Sequence, residues 1–260
     1  MINLFSKEGL VILESLSFTK TLYAFDFDGT LAKIVKVPSE AKMSQKTEEL
    51  LRELSKMVPV AIISGRSVRD LQMRLNIRPE YLIGNHGLEG LGAKAGTLIQ
   101  AQKVCRPWVK FLKSIPLESG IEIEDKIYSL AVHYRRARNK TRAKKQIKEI
   151  VKALTPPPRV INGKSVFNLL PLTAPHKGAA ILDLKKIAGL KHVFYIGDDD
   201  TDEDVFSLPY DEGQTMSVRV GKKKTSMARY FVESQSDVNK LLRLLIRYHS
   251  RLNSSKVRDK

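Results

Sequence analysis

The chain is poor in the features that would place it outside a reducing, aqueous compartment. It holds one cysteine, Cys105, so no internal disulfide framework can form, and a lone thiol serves as an ordinary core or surface residue. No catalytic role is assigned to it. The N-terminal segment MINLFSKEGLVILESLSF has no cationic start, clean apolar stretch or small-residue cleavage site, because Glu8 and Glu14 interrupt it. No apolar run approaches the roughly 20 residues that span a bilayer. The runs present are short and punctuated, as buried strands are. A soluble, cytoplasmic protein with no membrane partner is expected, without internal repeats or long low-complexity tracts.

Acidic residues are also scarce, with 28 Asp plus Glu against 45 Lys plus Arg and a formal charge of +17 at pH 7. Such an excess suits nucleic acid, an anionic membrane surface or a phosphorylated substrate. The positive charge gathers in RRARNKTRAKKQIKEIVK (Arg135 to Lys152), in GKKKTSMAR (Gly221 to Arg229) and in the terminal RYHSRLNSSKVRDK. Most of it reads as a solvated basic face. No nucleic-acid motif with interleaved aromatics accompanies it, so a nucleic-acid-binding role ranks far behind an enzyme.

What is present is a chain of 260 residues with 42% hydrophobic content, enough for a core domain with a smaller one inserted. LYAFDF, VPVAIIS and EYLIG read as strands and alternate with the helical patterns SQKTEELLRELSKM and VRDLQMRL. This order predicts a mainly parallel sheet with helices on both faces. Later, the helix APHKGAAILDLKKIA, the strands HVFYIG and TMSVRV and the closing helix SDVNKLLRLLIRYHSRL rejoin it. Between them CRPWVKFLKSI and KQIKEIVKAL read as helices. IEIED with IYSLAVHYR, and RVING with KSVFNLL, read as strand pairs reversing at Asp125-Lys126 and Asn162-Gly163. The expected fold class is α/β: a Rossmann-like core, residues 1–101 and 173–260, interrupted by a small α/β domain with antiparallel strands, residues 102–172.

In LYAFDFDGTL, Asp26 and Asp28 stand two apart on a strand and so share a face. They fall at the strand's carboxyl end, where open α/β sheets place their sites. A turn or cap accounts for one aspartate there but not two. Carboxylates this close need a cation between them or a shared proton. In SGR, Ser64 and Gly65 close a strand and open a helix, offering a hydroxyl and N–H groups to an anion, with Arg66 beside them. Lys177 starts a helix, where the dipole favours anions, so it asks for a negative charge such as phosphate. YIGDDDTDEDVF packs five aspartates and a glutamate into seven residues after a buried strand. Thr201 with Asp204 can cap the following helix. Asp198 and Asp199 remain at the strand end as hard oxygen donors suited to Mg²⁺.

FDFDGTL, SGR, Lys177 and GDDDTDEDVF together resemble the four-motif signature of the haloacid dehalogenase superfamily of phosphotransferases, in the right order across the parallel domain. GDDDTDEDVF and GNHG (Gly84 to Gly87) look like the versions found in the trehalose-6-phosphate phosphatase family. IEDKIYSLAVHYR is similar to that family's cap signature through Glu124, Lys126, Ser129, His133 and Arg135. The resemblance implies a Mg²⁺-dependent phosphatase for a small-molecule sugar phosphate, with residues 102–172 as a specificity cap. Asp26 would attack phosphorus, Asp28 would handle the proton, and Mg²⁺ would be held by Asp26, the Asp28 main-chain carbonyl and Asp198. Lys177, Ser64 and Gly65 would hold the phosphoryl oxygens, and Asp199 and Asp202 would orient metal waters or Lys177. Arg66, His86, Lys126, His133, Arg135 and Asn168 are the implied substrate contacts.

One position departs from the family. Its cap segment Gly-Lys-x-x-x-Glu-x-x-Pro reads GKSVFNLLP here, with Asn168 for the glutamate, and an amide accepts hydrogen bonds less strongly than a carboxylate. Sucrose, glucosylglycerol and mannosylglycerate phosphates therefore stand beside trehalose 6-phosphate as substrates. The sequence sets no oligomeric state.

Overall fold

The computed structural model describes residues 1–90, 92–209 and 215–258, with side chains followed to Leu252. The chain forms two compact units, Met1–Gly92 with Lys177–Lys260, and Ala93–His176.

The first unit is built on an eight-stranded sheet. Its order is β1 (Ile2–Asn3), β12 (Tyr230–Val232), β11 (Thr215–Val220), β10 (His192–Gly197), β2 (Thr21–Phe25), β3 (Val60–Ile63), β4 (Tyr81–Gly84) and β5 (Glu89–Gly90). All pairings are parallel except β4 with β5. Helices cover both faces, which is why β2 reads as one buried apolar run. Tyr23 and Phe25 face a cluster with α1 (Lys7–Ser15), α2 (Gln45–Ser55), α3 (Val68–Arg74) and α8 (Val238–Arg258). Leu22 and Ala24 face α6 (Lys177–Ala188) and α7 (Glu203–Phe206). Each large buried apolar side chain contributes about 1.5–3 kcal/mol, against which the ordering of the chain is set.

Serines start the first three helices. Ser6, Ser44 and Ser67 accept from the N–H groups of Gly9, Thr47 and Asp70, each filling one donor the helix leaves open. Ser67 rather than Ser64 is therefore the cap of α3, and Ser64 and Gly65 occupy the link between β3 and that helix. The N-terminal Ile2 and Asn3, which carry no strand pattern, pair with Tyr230 and Phe231 at the sheet edge.

The second unit is a four-stranded antiparallel sheet in the order β6 (Glu122–Asp125), β7 (Leu130–His133), β9 (Val166–Pro171) and β8 (Pro158–Gly163). One face packs on α4 (Ala95–Ser114) and α5 (Lys140–Ala153) through Leu130, Val132, Phe167 and Leu169 against Trp108, Leu112 and Ile147. The β8–β9 reversal falls at Lys164 and Ser165, because Gly163 is still paired with Val166. Ser165 takes the left-handed φ of 66° this turn needs. No described helix is long and apolar enough to cross a membrane.

Candidate active site

Asp26 follows β2 in step with Leu22 and Ala24, so its carboxylate emerges on the face covered by α6, and the residue is only 4% exposed. Lys177, the first residue of α6, is buried there and donates from Nζ to Asp26 Oδ1 and to Asp202 Oδ1, both at 2.7 Å. Asp202 is wholly buried. Its Oδ1 also accepts from the Tyr195 hydroxyl at 2.6 Å, and its Oδ2 from the Asp199 N–H at 2.9 Å. Asp199 returns a side-chain bond, to the Asp200 N–H at 2.7 Å. The capping pair of this turn is thus Asp199 with Asp202 rather than Thr201 with Asp204, since the short turn brings positions three apart back onto each other.

Asp198 lies over Gly29, whose φ is +85°, and any β-carbon there would collide with the Asp198 carboxylate. Its main-chain carbonyl accepts from Arg219 Nη2 at 2.6 Å. Arg219 Nη1 meets the Asp199 carbonyl at 3.1 Å and Glu203 Oε1 at 2.9 Å. Sequence reasoning missed Arg219. The signal was there, a lone arginine inside TMSVRV, a strand buried at every position.

Carboxylate oxygens of Asp26, Asp198 and Asp202 lie within 4.8 Å of one another. Burial holds the Asp26 carboxyl well above the usual carboxylate range, against the pull of Lys177 and with the push of Asp202 and Asp198. Burial works against the Lys177 ammonium, but Asp202, Asp26 and Tyr195 outweigh it and keep that amine well above its ordinary value. Lys177 therefore stays charged, and three carboxylates crowd one ammonium. Hard oxygen donors with surplus negative charge fit a divalent cation. Asp202 is committed to Lys177 and Tyr195, which leaves Asp26 and Asp198 as the carboxylates available to it.

Asp28 is held separately. Arg66 grips both its oxygens, Nε to Oδ2 at 2.6 Å and Nη2 to Oδ1 at 2.7 Å. Ser64 is buried behind them, donating its N–H to the Ile83 carbonyl at 3.0 Å and accepting the Arg66 N–H on Oγ at 3.2 Å. The buried His86, at a left-handed φ of 59°, lays its imidazole on Gly65 so closely that a β-carbon there would come within 2.5 Å of Cε1. Glu89 Oε2 binds the Val68 N–H and Asn85 Nδ2, which ties GNHG to the start of α3.

The remaining candidates belong to the second unit. On the sheet face opposite α4 and α5, Glu124 pairs across with Ala131, Ala131 with Asn168, and Asn168 with Ile161. His133 shares that face and its Nε2 meets Glu124 Oε2 at 2.9 Å. Asn168 is buried. Arg135 donates to the Lys164 carbonyl at 3.0 Å. Lys126 sits in the β6–β7 turn, its N–H bonded to the Ser129 carbonyl at 3.0 Å, beside Ile127 at a φ of 71°. Lys126, His133, Arg135 and Asn168 thus lie in a different unit from the carboxylate cluster.

A buried carboxylate held against a lysine at the end of a central parallel strand, with an acidic turn alongside, is consistent with the resemblance of the four motifs to phosphatases of the haloacid dehalogenase type. Comparison with known sequences narrows it. The profile of the family described as Trehalose-phosphatase matches residues 24–236. Probable trehalose-phosphate phosphatase H of Arabidopsis thaliana is 30% identical over 251 residues, covering 86% of this chain and 71% of that protein. Trehalose-phosphate phosphatase B of the same plant is 28% identical over 246 residues, covering 86% of this chain and 65% of its own length. Among solved structures, the C-terminal domain of C. albicans trehalose-6-phosphate phosphatase superposes with a TM-score of 0.71 at 25% identity, covering 91% of this chain and 96% of that one. The chain belongs to the trehalose-phosphatase family of phosphoric monoester hydrolases.

Proposed function

We propose that this chain hydrolyses trehalose 6-phosphate to trehalose and inorganic phosphate, with Asp26 as the nucleophile. The observation that carries the reading is the buried Lys177–Asp26 contact in a chain of this family. An Asp26 oxygen bonds to phosphorus as the phosphorus–sugar oxygen bond breaks, and Asp28 gives its proton to the departing oxygen. Water then attacks the aspartyl-phosphate, leaves its proton on Asp28, and the bond to Asp26 breaks. Lys177, the Ser64 hydroxyl and the Gly65 N–H neutralise the phosphoryl oxygens, and Asp202 keeps Lys177 aimed. Mg²⁺ held by Asp26, the Asp28 main-chain carbonyl and Asp198 would supply the positive charge that lets a phosphate dianion approach a carboxylate.

The second unit is read as the specificity domain, with Lys126, His133, Arg135 and Asn168 as its sugar contacts, and His86 is read as a substrate contact of the first unit. A cytoplasmic setting belongs to the same reading, supported by the single, buried cysteine. Asn168 favours one further reading, the same chemistry on sucrose, glucosylglycerol or mannosylglycerate phosphate, because an amide replaces the family's carboxylate.

A panel of sugar phosphates assayed for phosphate release with Mg²⁺ and with EDTA separates these. Release from trehalose 6-phosphate, lost in EDTA, is expected. Preference for another sugar with trehalose 6-phosphate inert would overturn the assignment. Asp26→Asn is expected to lose at least roughly 10³-fold in kcat while staying folded, and wild-type rates would remove Asp26 from its role.

A further inference from the structure

We infer that Asp70 and Arg74 are positioning residues, which fix the Asp28 carboxylate through Arg66. Asp28 lies past the end of β2 with its side chain 38% exposed, so the backbone alone leaves that carboxylate free to rotate. The Arg66 fork removes this freedom, since two parallel N–H···O bonds set both position and plane. An arginine side chain is itself long and flexible, and it can orient another group only if it is held in turn.

Arg66 is held at every part of its head. Nη1 donates to Asp70 Oδ2 at 2.7 Å, Nη2 also meets the Pro38 carbonyl at 2.8 Å, and the guanidinium carbon lies 5.6 Å from the centre of the Phe27 ring. Asp70 is fixed in the first turn of α3 behind the Ser67 cap. A second fork grips it, from Arg74 Nε to Oδ2 at 2.8 Å and Nη2 to Oδ1 at 2.7 Å. Arg74 Nη1 ends the series on the carbonyls of Ser39 and Ala41, at 2.6 and 3.2 Å.

The result is an alternating line of charges, Asp28, Arg66, Asp70 and Arg74, in which Asp70 and Arg74 stand four residues apart on α3 and Arg66 sits just ahead of its Ser67 cap. The side chains of Arg66, Asp70 and Arg74 are 11%, 19% and 14% exposed, far less than a surface ion pair, and both oxygens of each carboxylate are engaged. With its nitrogens spent on Asp28, Asp70 and Pro38, Arg66 serves Asp28 rather than the sugar. Each Asp28 oxygen keeps a second lone pair for the proton it handles. This inference rests on the reading of Asp28 as the proton carrier.

The test is a kinetic cycle of Asp28→Asn, Asp70→Asn and the double variant, on whichever sugar phosphate the panel identifies. Asp70→Asn is expected to lower kcat by about 10- to 100-fold with KM nearly unchanged, and to add nothing once Asp28 is Asn. If Asp28→Asn leaves kcat intact, the reading of Asp28 falls. If it lowers kcat while Asp70→Asn does not, or the two losses multiply, the strut is overturned and Asp28 stands. Arg74→Gln, one link further out, should show the same pattern at smaller size and serves if Asp70→Asn does not fold. Independently of turnover, a crystal structure of the Asp70 or Arg74 variant should show the Arg66–Asp28 fork broken, and an intact fork refutes the inference.

Discussion

Replacing Asp198 by Asn should make the metal-free protein more stable and the Mg²⁺-loaded protein less so. The carboxylate oxygens of Asp26, Asp198 and Asp202 lie within 4.8 Å of one another, and the Lys177 ammonium, bonded to Asp26 and Asp202, offsets part of that charge. Two unit charges at that distance and an effective dielectric of about 20 repel by ~3.5 kcal/mol. The charge is spread over two oxygens and Asp198 is partly open to water, so about 1–2 kcal/mol of relief is expected on its neutralisation. Asparagine is nearly isosteric and fits over Gly29 as aspartate does. For a chain of this size that is a rise of ~2–6 °C in the unfolding midpoint in EDTA. Wild type should gain about 2.7 kcal/mol from Mg²⁺ at a hundredfold excess over its dissociation constant, and Asp198→Asn very little. Thermal scans of both proteins, with EDTA and with Mg²⁺, decide it. An Asp198→Asn protein that melts below wild type in EDTA, or keeps the full Mg²⁺ shift, would falsify the reasoning.

Three further outcomes follow from the same geometry. Lys177→Met leaves Asp26 and Asp202 buried without their ammonium and should cost ~3–5 kcal/mol in urea unfolding, in addition to abolishing turnover. Arg74 and Arg66 hold the Asp70 carboxyl below the usual carboxylate range in spite of its burial. Its contribution to stability is therefore complete above the unfolded value of ~3.9 and is lost as pH falls through the lower folded value. Asp70→Asn should accordingly cost about 2 kcal/mol at neutral pH and almost nothing well below that range, and a cost independent of pH would contradict the ion-pair account. Burial, with a further push from Asp125, raises the Cys105 thiol to about 12. Its thiolate share near pH 8 is then ~10⁻⁴, so the native protein should resist iodoacetamide while the unfolded chain reacts; rapid alkylation of the folded protein would refute this.

The inner strands β2, β3, β4, β10 and β11 were legible because both faces of the sheet are covered, so they stood out as short apolar runs between amphipathic helices, whereas the short β5 and β12 did not. Asp26, Asp28 and Asp198 stood out for a related reason, each being a charge at the end of such a run, and Lys177 stood out as a cation at a helix start. Residues that act through distant partners left weaker marks. Arg219 reaches the Asp198 carbonyl from 21 positions away, and Arg66 reaches Asp28 from 38. Nothing in local spacing encodes such partnerships, which depend on which strands the sheet sets side by side. Asp70 lay unmarked within the helical pattern VRDLQMRL, and Tyr195 within the strand HVFYIG. The β8–β9 turn escaped for a matter of register, since Asn162-Gly163 is the better turn sequence but Gly163 is retained by the ladder. Ile2 and Asn3 gave no signal at all, two residues being too few to show a period.

Asp202 has a mechanical consequence. Its one carboxylate joins the first residue of α6, a tyrosine of β10 and the main chain of the acidic turn. Pulling any one of them loose exposes a buried charge, so this part of the cluster is expected to open together with the sheet. Asp28 is moored differently, through arginines that end on the carbonyls of Pro38, Ser39 and Ala41 outside the sheet. In hydrogen exchange the amides around Asp26 and Asp202 should share the slow, global rate, with those of 38–41 opening sooner. On the proposed mechanism, the active centre would then combine a fixed half for the bond being made with a looser half for the group that must leave.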